Sequence, residues 1–127
     1  MSTLTNAAFG LPYSTIRQVG DFYYISGHTG IDLSTKTAAP DMKNQTINLF
    51  KNLEETLKTQ GLTFNDIVKT TVFLTDMGEF SAMNEVYVTY FSDPKPARST
   101  VAIRELPQVA DVPLKVEIEA IAVKKSQ

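Results

Sequence analysis

Apolar residues recur along this chain in two periods, and the switches between them divide it into strand-like and helix-like blocks. Residues 13–19 and 22–26 read as strands. The second, Phe22-Tyr23-Tyr24-Ile25-Ser26, is aromatic and β-branched, and Gly20-Asp21 carries a turn signal, so the pair predicts a β-hairpin. Residues 27–37, with Gly30, Asp32 and Ser34 among short polar side chains, read as a loop. The period then lengthens: Met42, Thr46, Leu49, Leu53 and Leu57 recur at helical spacing, and Phe50 widens the stripe. Asp41 stands where an N-cap belongs and Gly61 where a C′ glycine would end the helix. Residues 67–74 are β-rich and apolar on both faces, as an interior strand should be. A second helix is predicted over 79–91, with Phe80, Met83, Tyr87, Tyr90 and Phe91 along one side. After Pro94 and Pro96 come a short strand, 99–103, and a last strand, 114–123. In the last, Leu114, Val116, Ile118, Ala120 and Ala122 line one face, and Lys115, Glu117, Glu119, Ile121 and Val123 the other.

The order β-β-α-β-α-β-β predicts an α+β fold: a single mixed β-sheet with two helices packed on one face. No repeat, low-complexity tract or linker interrupts the chain, so residues 1–127 read as one domain. Two helices cover one face only, while the 67–74 strand is apolar on both. An uncovered apolar sheet face predicts a homo-oligomer.

Composition narrows the chemistry. Of 127 residues, 12 are basic and 14 acidic (12 − 14 = −2), with one His and no Cys. The absence of Cys excludes disulfides, a thiolate nucleophile and Cys-ligated zinc or iron–sulfur sites, and one imidazole cannot build a multi-histidine metal site within a chain. The slight acidic excess lacks the electrostatic footprint of a nucleic-acid binder. No apolar run approaches the ~20 residues that a membrane helix needs. Residues 1–11 carry no basic side chain, so no secretory or transit signal is expected in the sequence as it stands, and a cytoplasmic location is.

Catalysis would then fall to carboxylates, Arg, Lys, Tyr, hydroxyls and backbone. Arg98, opening a strand behind Pro96-Ala97, can fork onto a carboxylate for about 1.5–3 kcal/mol if partly desolvated, or simply end a strand at the surface. Glu117 and Glu119 share a strand face. Crowded together they would raise a carboxyl pKa usefully for handling water; solvated, they are two ordinary surface charges. Tyr13, Ser26 and Asn84 are hydrogen-bonding candidates with equally plain structural readings as a packing aromatic, a turn serine and an exposed helix residue. His28 reads as a structural loop residue, and Gly27-His28-Thr29-Gly30 lacks any phosphate-loop spacing.

Several segments together resemble the RidA/YjgF family. Pro96-Ala97-Arg98-Ser99-Thr100-Val101 and Val116-Glu117-Ile118-Glu119-Ala120-Ile121-Ala122-Val123 resemble its C-terminal signature. The likeness extends to residues 66–74, to Met83-Asn84 with Tyr87 and Phe91, and to Ile25-Ser26-Gly27. It implies a chorismate-mutase-like fold, a homotrimer with ligand clefts between subunits, and cofactor-independent deamination of reactive 2-iminoacids and their enamine tautomers to 2-oxoacids and ammonia. It further implies that Arg98 holds the substrate carboxylate and Glu117 positions the hydrolytic water. Tyr13, Ser26, Gly27, Asn84 and Thr100 complete the implied cleft, and Glu119 keeps a structural role. Two other uses of such a cleft stand beside catalysis: sensing of small carboxylic acids without turnover, and the RNA-acting, translation-inhibiting role for which some members are named. The chain departs from the family pattern at Thr100, where cysteine is frequent, at His28, where glutamine is common, and in a longer 107–115 connection.

Overall fold

Gly20 takes a φ of 61° between strands β1 (Ile16–Val19) and β2 (Phe22–Thr29), which pair Val19 with Phe22 and Ile16 with Ile25. This is the expected hairpin. The structure, a computed structural model, describes residues 11–109 and 111–124. Strand β2 runs through Thr29, so the first part of the expected 27–37 loop is strand instead. The remainder holds a two-stranded ribbon, β3 (Ile31–Asp32) with β4 (Thr37–Ala38), closed by Lys36 at a φ of 58°.

Helix α1 (Met42–Lys58) begins as its sequence predicts, with the Asp41 carboxylate accepting from the Asn44 N–H at 3.0 Å. At its end Leu62 N–H donates to the Leu57 carbonyl at 3.0 Å and Gly61 N–H to Lys58 at 3.1 Å, with Gly61 at a φ of 70°. That is a Schellman motif, and its flanking residues Leu57 and Leu62 are both buried. Between these caps, Met42, Leu49, Phe50, Leu53 and Leu57 are almost fully buried, each stabilising by roughly 1.5–3 kcal/mol.

Strand β5 (Ile67–Leu74) leads into helix α2 (Phe80–Tyr87), followed by a tighter 3₁₀ turn, Val88–Tyr90. The second helix is therefore shorter than its apolar pattern suggests. Thr89 Oγ1 takes the Val86 carbonyl at 2.7 Å, and Tyr90 stacks on Phe50 with ring centres 4.3 Å apart, so packing against α1 holds the tightened turn. Strand β6 (Ala97–Ala102) starts two residues early, and β9 (Val116–Val123) two residues late. The 107–115 connection contains a small ribbon, β7 (Gln108–Val109) with β8 (Val112–Pro113).

The five long strands form one mixed sheet in the order β1-β2-β9-β5-β6, antiparallel except for the β5–β6 pair. Tyr23, Ile25, Val72, Leu74, Val116, Ile118, Ala120 and Ala122 face the helices and make the core with them. Buried Gln45 closes that layer at one end: its amide donates to the carbonyls of Ala39 (2.8 Å) and Pro113 (3.0 Å) and accepts from Lys115 N–H (2.8 Å). The opposite sheet face carries Val19, Phe22 and Tyr24, all largely exposed, the last two stacked with centroids 6.4 Å apart. Among the described residues no helix is long and apolar enough to cross a membrane.

Gly61→Ala places a Cβ on a left-handed backbone, which costs about 1–2 kcal/mol. Urea unfolding should show that loss as a lower midpoint with an unchanged slope.

Candidate active site

Arg98 lies on β6, the edge strand, in parallel register with Thr70, and its side chain emerges on the helix-bearing face. There Phe80, Asn84 and Tyr87, at i, i+4 and i+7 of α2, present one stripe to it. Nη1 donates to Asn84 Oδ1 at 2.7 Å, and the guanidinium carbon sits 4.6 Å from the Tyr87 ring centre and 5.5 Å from that of Phe80. Tyr87 is itself fixed by a 2.7 Å hydrogen bond between its hydroxyl and that of Thr70. Burial pushes the Tyr87 hydroxyl pKa up, against the Thr70 hydrogen bond and the Arg98 charge, so the phenol stays neutral. Among the described residues no carboxylate lies within ion-pair distance of Arg98. A rigid cation supported from below, with donors remaining, is suited to an incoming carboxylate. Thr100, two residues along β6, lies on the same side.

Glu117 lies on the other face of the sheet, between the fully buried Val116 and Ile118. Its neighbours on β2 are set by an irregularity in that strand. Ile25 pairs with Ala120 and His28 with Ile118, so two residues, Ser26 and Gly27, stand opposite the single Glu119. The resulting bulge lays Gly27 against Glu117 so closely that a Cβ there would overlap the carboxylate. Partial burial pushes the Glu117 pKa above the ordinary carboxyl value, and the Glu119 charge pushes it the same way. Tyr13 and Ser26 line a groove on this face together with Arg17, Lys69, Thr71 and Glu119. The Ser26 hydroxyl donates to the Ser14 carbonyl at 2.6 Å, which leaves its oxygen to accept.

The residues singled out from sequence thus fall into two groups. Arg98, Asn84 and Thr100 gather beside α2; Tyr13, Ser26, Gly27 and Glu117 gather on the open face. A single chain does not bring Arg98 and Glu117 together. Sequence reasoning treated Phe80 and Tyr87 only as an apolar stripe and missed them as the aromatic support of Arg98; their spacing around Asn84 was the available signal. It also read His28 as a loop residue, whereas His28 lies in β2 and is buried, with no local signal to say so.

Residues 5–124 match the family described as Endoribonuclease L-PSP. The chain is 44% identical over 124 residues to the mouse 2-iminobutanoate/2-iminopropanoate deaminase, covering 97% of this chain and 88% of that protein. It is also 44% identical over 115 residues to a RutC family protein of Aquifex aeolicus, covering 89% of each. Among solved structures, RidA from an Antarctic Psychrobacter superposes with a TM-score of 0.82 at 37% identity, over 90% of this chain and 89% of that one. Escherichia coli TdcF with bound serine superposes at 0.81 and 33% identity, over 91% and 90%.

Gly27→Ala should displace the flexible Glu117 carboxylate toward solvent at little cost to the fold. Carboxyl ¹³C titration by NMR should then find the Glu117 midpoint lowered toward the ordinary 4.5.

Proposed function

The chain belongs to the RidA/YjgF family, the one described as Endoribonuclease L-PSP, and on that premise we propose that it hydrolyses reactive 2-iminoacids such as 2-iminobutanoate and 2-iminopropanoate, with their enamine tautomers, to 2-oxoacids and ammonia. The observation that carries this reading is the Arg98 guanidinium, held by Asn84 and two ring faces, with no carboxylate partner among the described residues. Arg98 binds the substrate carboxylate and fixes the imine carbon relative to water. Glu117 takes a proton from that water as its oxygen bonds to carbon, giving a carbinolamine. That first proton passes to the nitrogen to complete the carbinolamine; Glu117 then takes the remaining hydroxyl proton as the C=O bond forms and delivers it to the nitrogen as the C–N bond breaks and ammonia leaves. A raised pKa suits a group that must both accept and release a proton near neutral pH. Tyr13, Ser26, Gly27 and Thr100 line the cleft, and the reaction so written uses no metal or organic cofactor.

Because Arg98 and Glu117 occupy opposite faces of one sheet, the cleft requires a second copy. We assign the exposed Val19, Phe22 and Tyr24 face to a homotrimer interface, with Arg98 of one protomer meeting Glu117 of the partner subunit. A cytoplasmic location is part of the same reading. Carboxylate sensing without turnover is the second reading, favoured by one observation: Arg98, Asn84 and Thr100 need no partner to assemble. An RNA-acting role is disfavoured by the net charge of −2.

Mixed with a threonine dehydratase and threonine, the protein should accelerate release of 2-oxobutanoate. Saturable 2-oxoacid binding without acceleration would establish the sensing reading instead. Arg98→Ala should lower kcat/KM by about 10- to 100-fold, the equivalent of roughly 1.5–3 kcal/mol. A raised carboxyl pKa keeps Glu117 protonated to higher pH, so activity should climb with an acid limb above 4.5, and Glu117→Gln should abolish both the limb and the rate. Sedimentation at micromolar concentration should show a trimer; a monomer that still turns over would sink the shared cleft.

A further inference from the structure

His28 is the only imidazole in the chain and is just 9% exposed. Its Nδ1 lies 2.7 Å from the Ser26 carbonyl oxygen and its Nε2 2.8 Å from Thr56 Oγ1 on α1. A carbonyl can only accept, so Nδ1 carries a proton. Burial lowers the pKa of the ring and favours its neutral form, in which Nε2 accepts from the Thr56 hydroxyl, and this contact ties β2 to the helix layer.

The bond to Ser26 spans Gly27, the residue against which the Glu117 carboxylate lies. It draws the Ser26 carbonyl inward, toward the helices. In a planar trans peptide the carbonyl and the following N–H point in opposite directions, so the Gly27 N–H is turned toward the open face that carries Glu117. The other polar groups of Ser26 are held from the far side: its N–H donates to the Thr15 carbonyl at 3.0 Å and its hydroxyl to Ser14 at 2.6 Å. The bulge is thus anchored at two points, residues 14–15 on one side and His28 with Thr56 on the other. Removing the second anchor would free the Ser26–Gly27 peptide to rotate while the first still holds the strand.

We propose that His28 is a positioning residue: by fixing the Ser26–Gly27 peptide from beneath, it sets where the Glu117 carboxylate and the Gly27 N–H stand in the cleft. Its kinetic consequence rests on the deaminase reading; its structural consequence does not. The role requires an N–H at the Nδ1 position and little else, because that is the group that holds the carbonyl.

The test compares His28→Asn, which retains a donor near the Nδ1 position, with His28→Leu, which keeps apolar bulk and loses it. In the dehydratase-coupled assay His28→Leu should lower kcat by about 10²-fold, the scale of a misplaced catalytic group, with KM little changed because Arg98 is untouched. His28→Asn should restore most of that rate. Equal losses in the two variants, or a folded His28→Leu variant with the parent's kcat, would overturn the proposal. Two measurements decide the matter even if the parent shows no deaminase activity. Imidazole ¹⁵N shifts of the parent, unambiguous for a single histidine, should show the Nδ1–H tautomer; an Nε2–H ring would overturn the assignment without any variant needing to fold. The Glu117 carboxyl ¹³C midpoint and the Gly27 amide shift should move in His28→Leu and return toward the parent in His28→Asn; if neither moves in His28→Leu, His28 does not position the site.

Discussion

Between Ile25 and His28, strand β2 carries two residues where β9 carries one, and the placement of Ser26, Gly27 and His28 around Glu117 follows from this mismatch. A regular strand would alternate faces without interruption, sending Gly27 inward and His28 out. The extra residue inverts the phase. Tyr23 and Ile25 face the helices before it, and His28 does so after it, where the imidazole reaches Thr56. Gly27 is thereby left beside Glu117 at a distance that only a residue without a side chain permits.

Opposite charges are handled in opposite ways. Arg98 keeps its cation on the faces of Tyr87 and Phe80, with an amide oxygen on one nitrogen, so its planar fork is oriented without being neutralised. Glu117 is partly withdrawn from water beside a like charge, which favours its protonated form more than exposure would. Each arrangement suits the role we propose for its group, anion binding for one and proton exchange for the other. Their separation across the sheet is the ground for the shared cleft we propose, and the exposed aromatic pair Phe22 and Tyr24 is the apolar surface assigned to it.

Buried polar groups connect the layers where apolar packing alone would leave them loosely specified. Gln45 joins α1 to the segments before it and before β9 through three hydrogen bonds, and Gly30 lies against its backbone with no room for a side chain. Thr70 does the same between β5 and Tyr87, beside Arg98 in the sheet. In each case a hydrogen-bonded group fixes distance and orientation, which dispersion contacts do not.

Both helices, their order among the strands and the inward face of β9 were legible in the chain itself. These are consequences of periodicity and of local chemistry at Asp41 and Gly61, settled within a few residues. The last turn of the second helix was misjudged because its shape is set by the packing of Tyr90 on Phe50, about forty positions away. The candidate residues were nameable from composition and family likeness, but their division between two sheet faces was not. That division depends on pairing register, and the bulge behind it on how β2 meets β9 across some ninety residues of intervening chain. A sequence records which side chains alternate; which strand lies opposite, and where the alternation slips, is decided only when distant segments pair and a buried group such as His28 finds its partners.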